Sequence, residues 1–88
     1  MNVVNASQTV SLLKLHALIF GVFTMLYAFM DFEKHFGTSA SNVLYFSTVV
    51  HTSVGFGDIT PKTAEAKGLV TMHMLLSFAA TLLVLERI

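Results

Sequence analysis

Two long apolar segments, residues 12–30 and 64–85, set the strongest limit on what this chain folds into. At a rise of about 1.5 Å per residue, a helix over either segment is long enough to cross a hydrocarbon core about 30 Å thick. The composition agrees, because 55% of the 88 residues are hydrophobic and only 11% are charged, and a soluble domain with that balance would aggregate. We therefore predict an all-α membrane protein with two transmembrane helices.

Charge and composition exclude several kinds of partner and site. The net charge is zero and the five basic residues are scattered along the chain, so no basic surface for nucleic acid is expected. The chain has no cysteine, which excludes disulfides and thiolate metal sites, and nothing in it predicts a cofactor or a small-molecule substrate. Only three residues, Glu86, Arg87 and Ile88, follow the second apolar segment, and we expect no cytoplasmic sensor domain.

Between the two apolar segments, the stretch with the most distinctive chemistry is Thr52-Ser53-Val54-Gly55-Phe56-Gly57-Asp58. Its two glycines flank an aromatic residue, and glycine reaches backbone conformations that a Cβ disfavours, so successive carbonyls can point the same way. Aligned carbonyl oxygens are ligands for a dehydrated monovalent cation. One strand cannot close a ring around an ion, so this interpretation requires four copies around a common axis.

Residues 53–58 resemble the selectivity-filter signature of potassium channels, with Phe56 where tyrosine is more common. The whole chain, including His51-Thr52 before the signature and Ile59-Thr60-Pro61-Lys62 after it, resembles the miniature viral potassium channels of algal viruses. The resemblance implies a homotetramer in a lipid bilayer, either a viral or a host-cell membrane, that passes potassium passively. It also implies that both termini are cytoplasmic, although the basic residues, two on the inner side and three on the outer, mildly oppose this topology.

The resemblance also divides the middle of the chain. It implies an outer loop over residues 31–40, a re-entrant pore helix over residues 41–52 with Ser39 or Ser41 as its N-cap, and a filter over residues 53–57. A helix of about a dozen residues covers only half a bilayer, so it can enter and turn back where protein shields its backbone. Without the filter signature, residues 41–52 would indicate a surface helix or a strand.

Four backbone carbonyls are the predicted potassium ligands, those of Ser53, Val54, Gly55 and Phe56, and Gly57 completes the filter. The Ser53 hydroxyl is expected to be a further inner ligand, in a looser site than the more common threonine would give. Phe56 has no hydroxyl with which to bind the pore helix, so the filter is expected to be braced mainly by packing. Thr52 and His51 are expected to support it, with His51 either packed behind the filter or acting as a proton sensor.

Asp58 follows the predicted filter at the outer mouth. A ring of four such carboxylates would raise the local concentration of cations; alternatively, the carboxylate only hydrogen-bonds the loop backbone. In some relatives this position pairs with an acid on the pore helix, but the matching position here is Val49. We therefore expect that pairing to be absent.

The polar residues within the two apolar segments have two interpretations each. Three polar residues recur at intervals of four on the second segment, His73, Ser77 and Thr81. They face either the central cavity or a contact between helices, and a hydrogen bond from the Ser77 hydroxyl to the His73 carbonyl would bend the helix and gate the pore. On the first segment, Lys14 and His16 are expected to anchor the interface or to take part in gating, and Tyr27 and Phe29 to join an aromatic belt.

Two other functions compete with the channel. Gly55-Phe56-Gly57-Asp58 also fits the G-x-G-D pattern of intramembrane aspartic proteases, which need two facing carboxylates. The other aspartate, Asp31, lies at the end of the first segment, and Asp58 lies outside any apolar run, so we predict no enzyme. A holin-like or structural two-span protein would explain both segments but not the filter signature.

Overall fold

The computed structural model describes residues 6–87, which form an elongated molecule of 46 × 19 × 18 Å. Two helices of 24 residues each run its length, α1 (Ala6–Phe29) and α4 (Ala64–Arg87). Within them, Ser7–Phe29 and Ala64–Glu86 are long and apolar enough to cross a membrane. The described part of the chain contains no β-strand, so the all-α prediction with two spanning helices is confirmed. Helix α1 begins earlier than the predicted start at Leu12.

A short helix, α2 (Phe32–Phe36), lies within the segment for which the sequence predicted an outer loop. The Oδ1 atom of Asp31 accepts a hydrogen bond from the Lys34 N–H (3.3 Å) at its start, and Gly37 ends it with φ 71°. Phe32 and Phe36 are 2% exposed, and their rings stack with centroids 4.5 Å apart. The prediction of an exposed loop over residues 31–40 is therefore wrong for this part, because the two phenylalanines bury one face of a helical turn.

The predicted pore helix consists of two pieces. A 3-10 turn, Ala40–Asn42, leads into α3 (Val43–His51), and Thr52 follows as the C-cap residue. The Ser39 Oγ accepts a hydrogen bond from the Ser41 N–H (3.2 Å), so Ser39 and not Ser41 caps the segment. Helix α3 lies against both long helices and is shorter than either, so its C-terminal end stops partway along the molecule.

An aromatic cluster joins α1, α2 and α3. It consists of Tyr27, Phe32, Phe36 and Phe46, and the Tyr27 ring contacts those of Phe36 and Phe46 with centroids 5.8 and 5.4 Å apart. Tyr27 is fully buried, so its assignment to an interfacial aromatic belt was wrong, whereas Phe29 is 81% exposed. The cluster fixes the position of α3 against α1 because aromatic side chains bury large areas and pack in defined orientations.

Helix α4 begins after a loop that is tied to α2. The Thr63 hydroxyl accepts a hydrogen bond from the Ala66 N–H (3.2 Å) and so caps α4. The same hydroxyl is 2.5 Å from Nδ1 of His35, and the Lys62 N–H donates to the His35 carbonyl (2.7 Å). The loop after the predicted filter is therefore fastened to α2.

Candidate functional site

The backbone of residues 53–57 alternates in the sign of φ. Ser53, Gly55 and Gly57 have φ of 65°, 59° and 81°, while Val54 and Phe56 do not have positive φ. When residues of positive and negative φ alternate, successive peptide groups can turn so that their carbonyl oxygens lie on the same side of the chain. This backbone can therefore present a row of carbonyl oxygens to one side, which is the arrangement that cation coordination requires.

The end of α3 holds this segment in place. The N–H groups of Ser53 and Gly55 donate to the carbonyls of Val50 (3.1 Å) and Val49 (3.4 Å). The Thr52 hydroxyl donates to the Thr48 carbonyl (2.8 Å), so Thr52 supports the segment through α3. Ser53 is a non-glycine residue with φ in the left-handed region, which costs about 1–2 kcal/mol, a strain that the sequence alone did not indicate.

Asp58 is bound to the predicted pore helix through a residue that the sequence analysis did not consider. The Tyr45 hydroxyl donates to Oδ2 of Asp58 (2.6 Å), and Oδ1 accepts from the Ile59 N–H (3.1 Å). The carboxylate thus bonds the loop backbone, as one alternative had it, and also bonds α3. The filter was expected to be braced mainly by packing, and the Tyr45 hydroxyl adds a hydrogen bond from α3 that Val49 and Phe56 cannot make.

The polar residues of α4 do not form an open stripe. His73 is fully buried, with its ring stacked on that of Phe23 (centroids 4.6 Å apart), and Ser77 is 2% exposed. His73 therefore faces a contact between helices and not a cavity, the second of the two interpretations. The Ser77 hydroxyl donates to the Met74 carbonyl (3.2 Å) and not to that of His73, while Thr81 is exposed and donates to the Ser77 carbonyl (2.9 Å).

His51, at the end of α3, joins the two long helices. Its Nε2 lies 3.0 Å from Nδ1 of His16 on α1, and its Nδ1 lies 3.1 Å from Nε2 of His73 on α4. The Nδ1 atom of His73 in turn lies 2.9 Å from the Tyr27 hydroxyl. His16 is therefore partly buried against the end of α3, whereas Lys14 on the same helix is exposed. Anchoring of the interface by these two residues stays a prediction.

Comparison with known proteins decides the class of this molecule. The sequence profile of a family described as "Ion channel" matches residues 12–88. The chain belongs to this ion-channel family. It is also 36% identical over 73 residues to the "Potassium channel protein kcv" of Paramecium bursaria Chlorella virus 1, a match that covers 73% of this chain and 78% of that protein. No solved structure was found to match it.

Because the chain belongs to an ion-channel family, its two apolar helices lie in a membrane, and the protein is a channel and not an enzyme. Within residues 6–87, no cluster of three histidine or acidic side chains is arranged to hold a metal ion.

Replacing Tyr45 with phenylalanine is expected to shorten channel openings by about two- to fivefold, because it removes the charge-assisted hydrogen bond that holds Asp58 to α3. Single-channel recording measures the open time. The same bond, followed by burial and by the charge of Asp58, raises the pKa of Tyr45 above its usual value. The Tyr45 hydroxyl therefore keeps its proton, and the bond, up to the ordinary tyrosine pKa of about 10, and loses it only when the pH rises through the raised pKa. Open times should therefore not change between about pH 8 and 10. Unchanged open times in Tyr45→Phe would contradict this role.

Proposed function

We propose that the protein is a potassium-selective channel in which four copies surround a pore lined by the carbonyls of Ser53, Val54, Gly55 and Phe56. The observation that supports the proposal is the alternating sign of φ over residues 53–57, since a backbone of this kind can align carbonyl oxygens as ligands without a side chain. Gly57 ends the row with the positive φ that turns the chain towards Asp58. Potassium then moves passively down its electrochemical gradient.

The exposure of this segment supports assembly. Val54 and Phe56 are 54% and 69% exposed in the single chain. Beside them, an open groove of about 350 Å³ runs between α3 and α4, lined mainly by apolar side chains that include Val50, Leu75 and Phe78. Irregular backbone at membrane depth must be covered by protein or line a water-filled path. Neighbouring copies would cover the side of residues 53–57 that borders the groove. The side that carries the carbonyl oxygens would then line the pore.

The choice of potassium rests on the relative that is named a potassium channel and on the filter signature. Selectivity then comes from the spacing, number and field strength of the carbonyl dipoles. In this arrangement α3 is the re-entrant pore helix, and its partially negative C-terminal end points at cations in the inner cavity. Both termini are cytoplasmic, and the membrane is that of the virus or its host.

Reconstitution tests this proposal. The purified protein in detergent is expected to have the mass of four chains, and liposomes that contain it should release potassium much faster than sodium. Ion flux with equal rates for the two cations would reject the assignment of the filter. A dimer without flux would favour a structural two-span protein.

Replacing Asp58 with asparagine is expected to lower single-channel potassium conductance about two- to fivefold at about 0.01 M salt and to have little effect at 1 M, because salt screens a surface ring of charge. Asparagine keeps one oxygen that can accept from Tyr45, so the variant removes the charge and keeps this bond in neutral form, but its NH2 group cannot accept from the Ile59 N–H. Glu65→Gln, at the exposed outer end of α4, makes the same change in charge away from the filter. An equal effect of both variants would contradict a specific role for Asp58.

A further inference from the structure

A pair of hydroxyl groups joins α1 to α3 inside the molecule. The Oγ atom of Ser47 lies 2.6 Å from Oγ1 of Thr24, and Ser47 is fully buried while Thr24 is partly buried. The Thr24 hydroxyl also donates to the carbonyl of Phe20, four residues earlier on α1 (2.6 Å). Carbonyl coordination of an ion gives this pair no direct role.

Counting protons fixes the direction of the bond between the two hydroxyls. A hydroxyl has one proton to donate and two lone pairs that accept. Because the Thr24 proton is given to the Phe20 carbonyl, the Ser47 hydroxyl is the donor and Thr24 Oγ1 is the acceptor. A serine or threonine within a helix can instead bond back to the carbonyl one turn earlier, as Thr48 does with the Leu44 carbonyl (2.8 Å). Ser47 directs its proton to another helix.

The bond lies in the half of α3 that carries the predicted filter. The aromatic cluster holds the first half of α3. In the second half, Ser47 and His51 are one turn apart on the same face, and both are hydrogen-bonded to α1. The carbonyls of Val49 and Val50, which accept the N–H groups of the filter segment, lie between them in the sequence. Movement of this half of α3 along α1 therefore moves the filter backbone.

We propose that Ser47 is a positioning residue for the filter, because its bond to Thr24 fixes the register of α3 along α1 and with it the spacing of the filter carbonyls. This inference rests on the proposed function, since it concerns the potassium sites of residues 53–57. Apolar contacts are non-directional and tolerate small sliding movements, whereas a polar residue at one position of a helix contact specifies its register. Without the bond, His51 alone joins the second half of α3 to α1, and α3 pivots about that contact.

Thr24→Val tests this role, because valine keeps the shape of threonine and removes the acceptor. The freed Ser47 hydroxyl can turn to the carbonyl of Val43, one turn back, so no buried donor is left unpaired. We expect the ratio of potassium to sodium permeability of the reconstituted channel to fall at least about threefold, the effect of one typical hydrogen bond between helices in a membrane. Ser47→Ala should give the same loss, and the double variant no more than either alone, since all three remove one bond.

Thr71→Val on α4 is the matched control. The Thr71 hydroxyl likewise donates to the carbonyl four residues earlier, that of Lys67 (2.7 Å), but Thr71 is exposed, and within residues 6–87 no side chain of another helix is hydrogen-bonded to it. This variant should keep the permeability ratio, as should Thr24→Ser, which retains the acceptor. An unchanged ratio in Thr24→Val, or an equal fall in Thr71→Val, overturns the proposal.

Amide hydrogen exchange of the assembled protein gives a readout that does not depend on current. The N–H groups of Ser53 and Gly55 are bonded to the end of α3, so their exchange should become at least about threefold faster in Thr24→Val and Ser47→Ala and stay unchanged in Thr71→Val. Equal exchange in all variants overturns the role of Ser47, whatever the selectivity of the unaltered channel. Faster exchange in an unaltered channel type that does not select potassium supports the role of Ser47 and rejects the proposed function, so the two failures can be told apart.

Discussion

Replacing Gly55 with L-alanine is expected to reduce potassium current at least about a hundredfold. Gly55 has φ 59°, and holding an L-residue in the left-handed region costs about 1–2 kcal/mol, or about 4–8 kcal/mol over four copies. A Cβ at this position meets no atom within 4 Å in the single chain. The effect therefore comes from the backbone, because relaxing φ rotates a carbonyl out of the row. Single-channel recording measures the loss.

Two comparisons isolate this cause. Gly21→Ala on α1 adds the same methyl group where no atom lies within 4 Å and φ is helical, so it should leave the current unchanged. D-alanine at position 55, which favours positive φ, should restore much of the current, and a chain of 88 residues is short enough for chemical ligation. Normal selectivity in the L-alanine variant would contradict the role given to the alternating backbone.

Replacing Phe46 with alanine is expected to destabilise the folded protein by about 3–5 kcal/mol. Phe46 is 3% exposed and contacts the rings of Tyr27, Phe32 and Phe36, so its removal opens a cavity where α1, α2 and α3 meet. The thermal midpoint in detergent micelles, followed by near-ultraviolet circular dichroism, should fall by more than about 10 °C.

Phe29→Ala is the matched control for this substitution. Phe29 ends α1 and is 81% exposed, so the same truncation removes no buried contact and should shift the midpoint little. Equal shifts for Phe46→Ala and Phe29→Ala would show that the aromatic cluster does not hold α3 in place. A large shift for Phe46→Ala alone supports the packing described above.

The sequence was sufficient to predict the two spanning helices and the channel class. Apolar runs longer than a bilayer leave few alternatives to a helix, since every backbone group must be bonded within the segment. The cap of α4 at Thr63 was also foreseeable, because it depends on residues close together in the chain. The signature of residues 53–58 predicts a filter, and the positive φ at Gly55 and Gly57 agrees with the glycines of that signature.

The remaining features depend on contacts between residues far apart in the chain. Periodicity along α4 showed that His73 and Ser77 share a face, but it could not show which neighbour covers that face. The link from His16 to His51 spans 35 positions, and two histidines near the ends of different segments give no pairing signal. Helix α2 was predicted to be part of an exposed loop because charged residues are frequent in this segment, and its two phenylalanines alone did not indicate a buried helical turn.

The most direct test of the central claim is the reversal potential of single-channel current in a planar bilayer, with potassium on one side and sodium on the other. A reversal potential near the potassium equilibrium value is the predicted result, since aligned carbonyls over residues 53–57 would replace the hydration shell of potassium and not that of sodium. Unitary currents that reverse near zero would contradict it, because a pore would then exist without a selective filter.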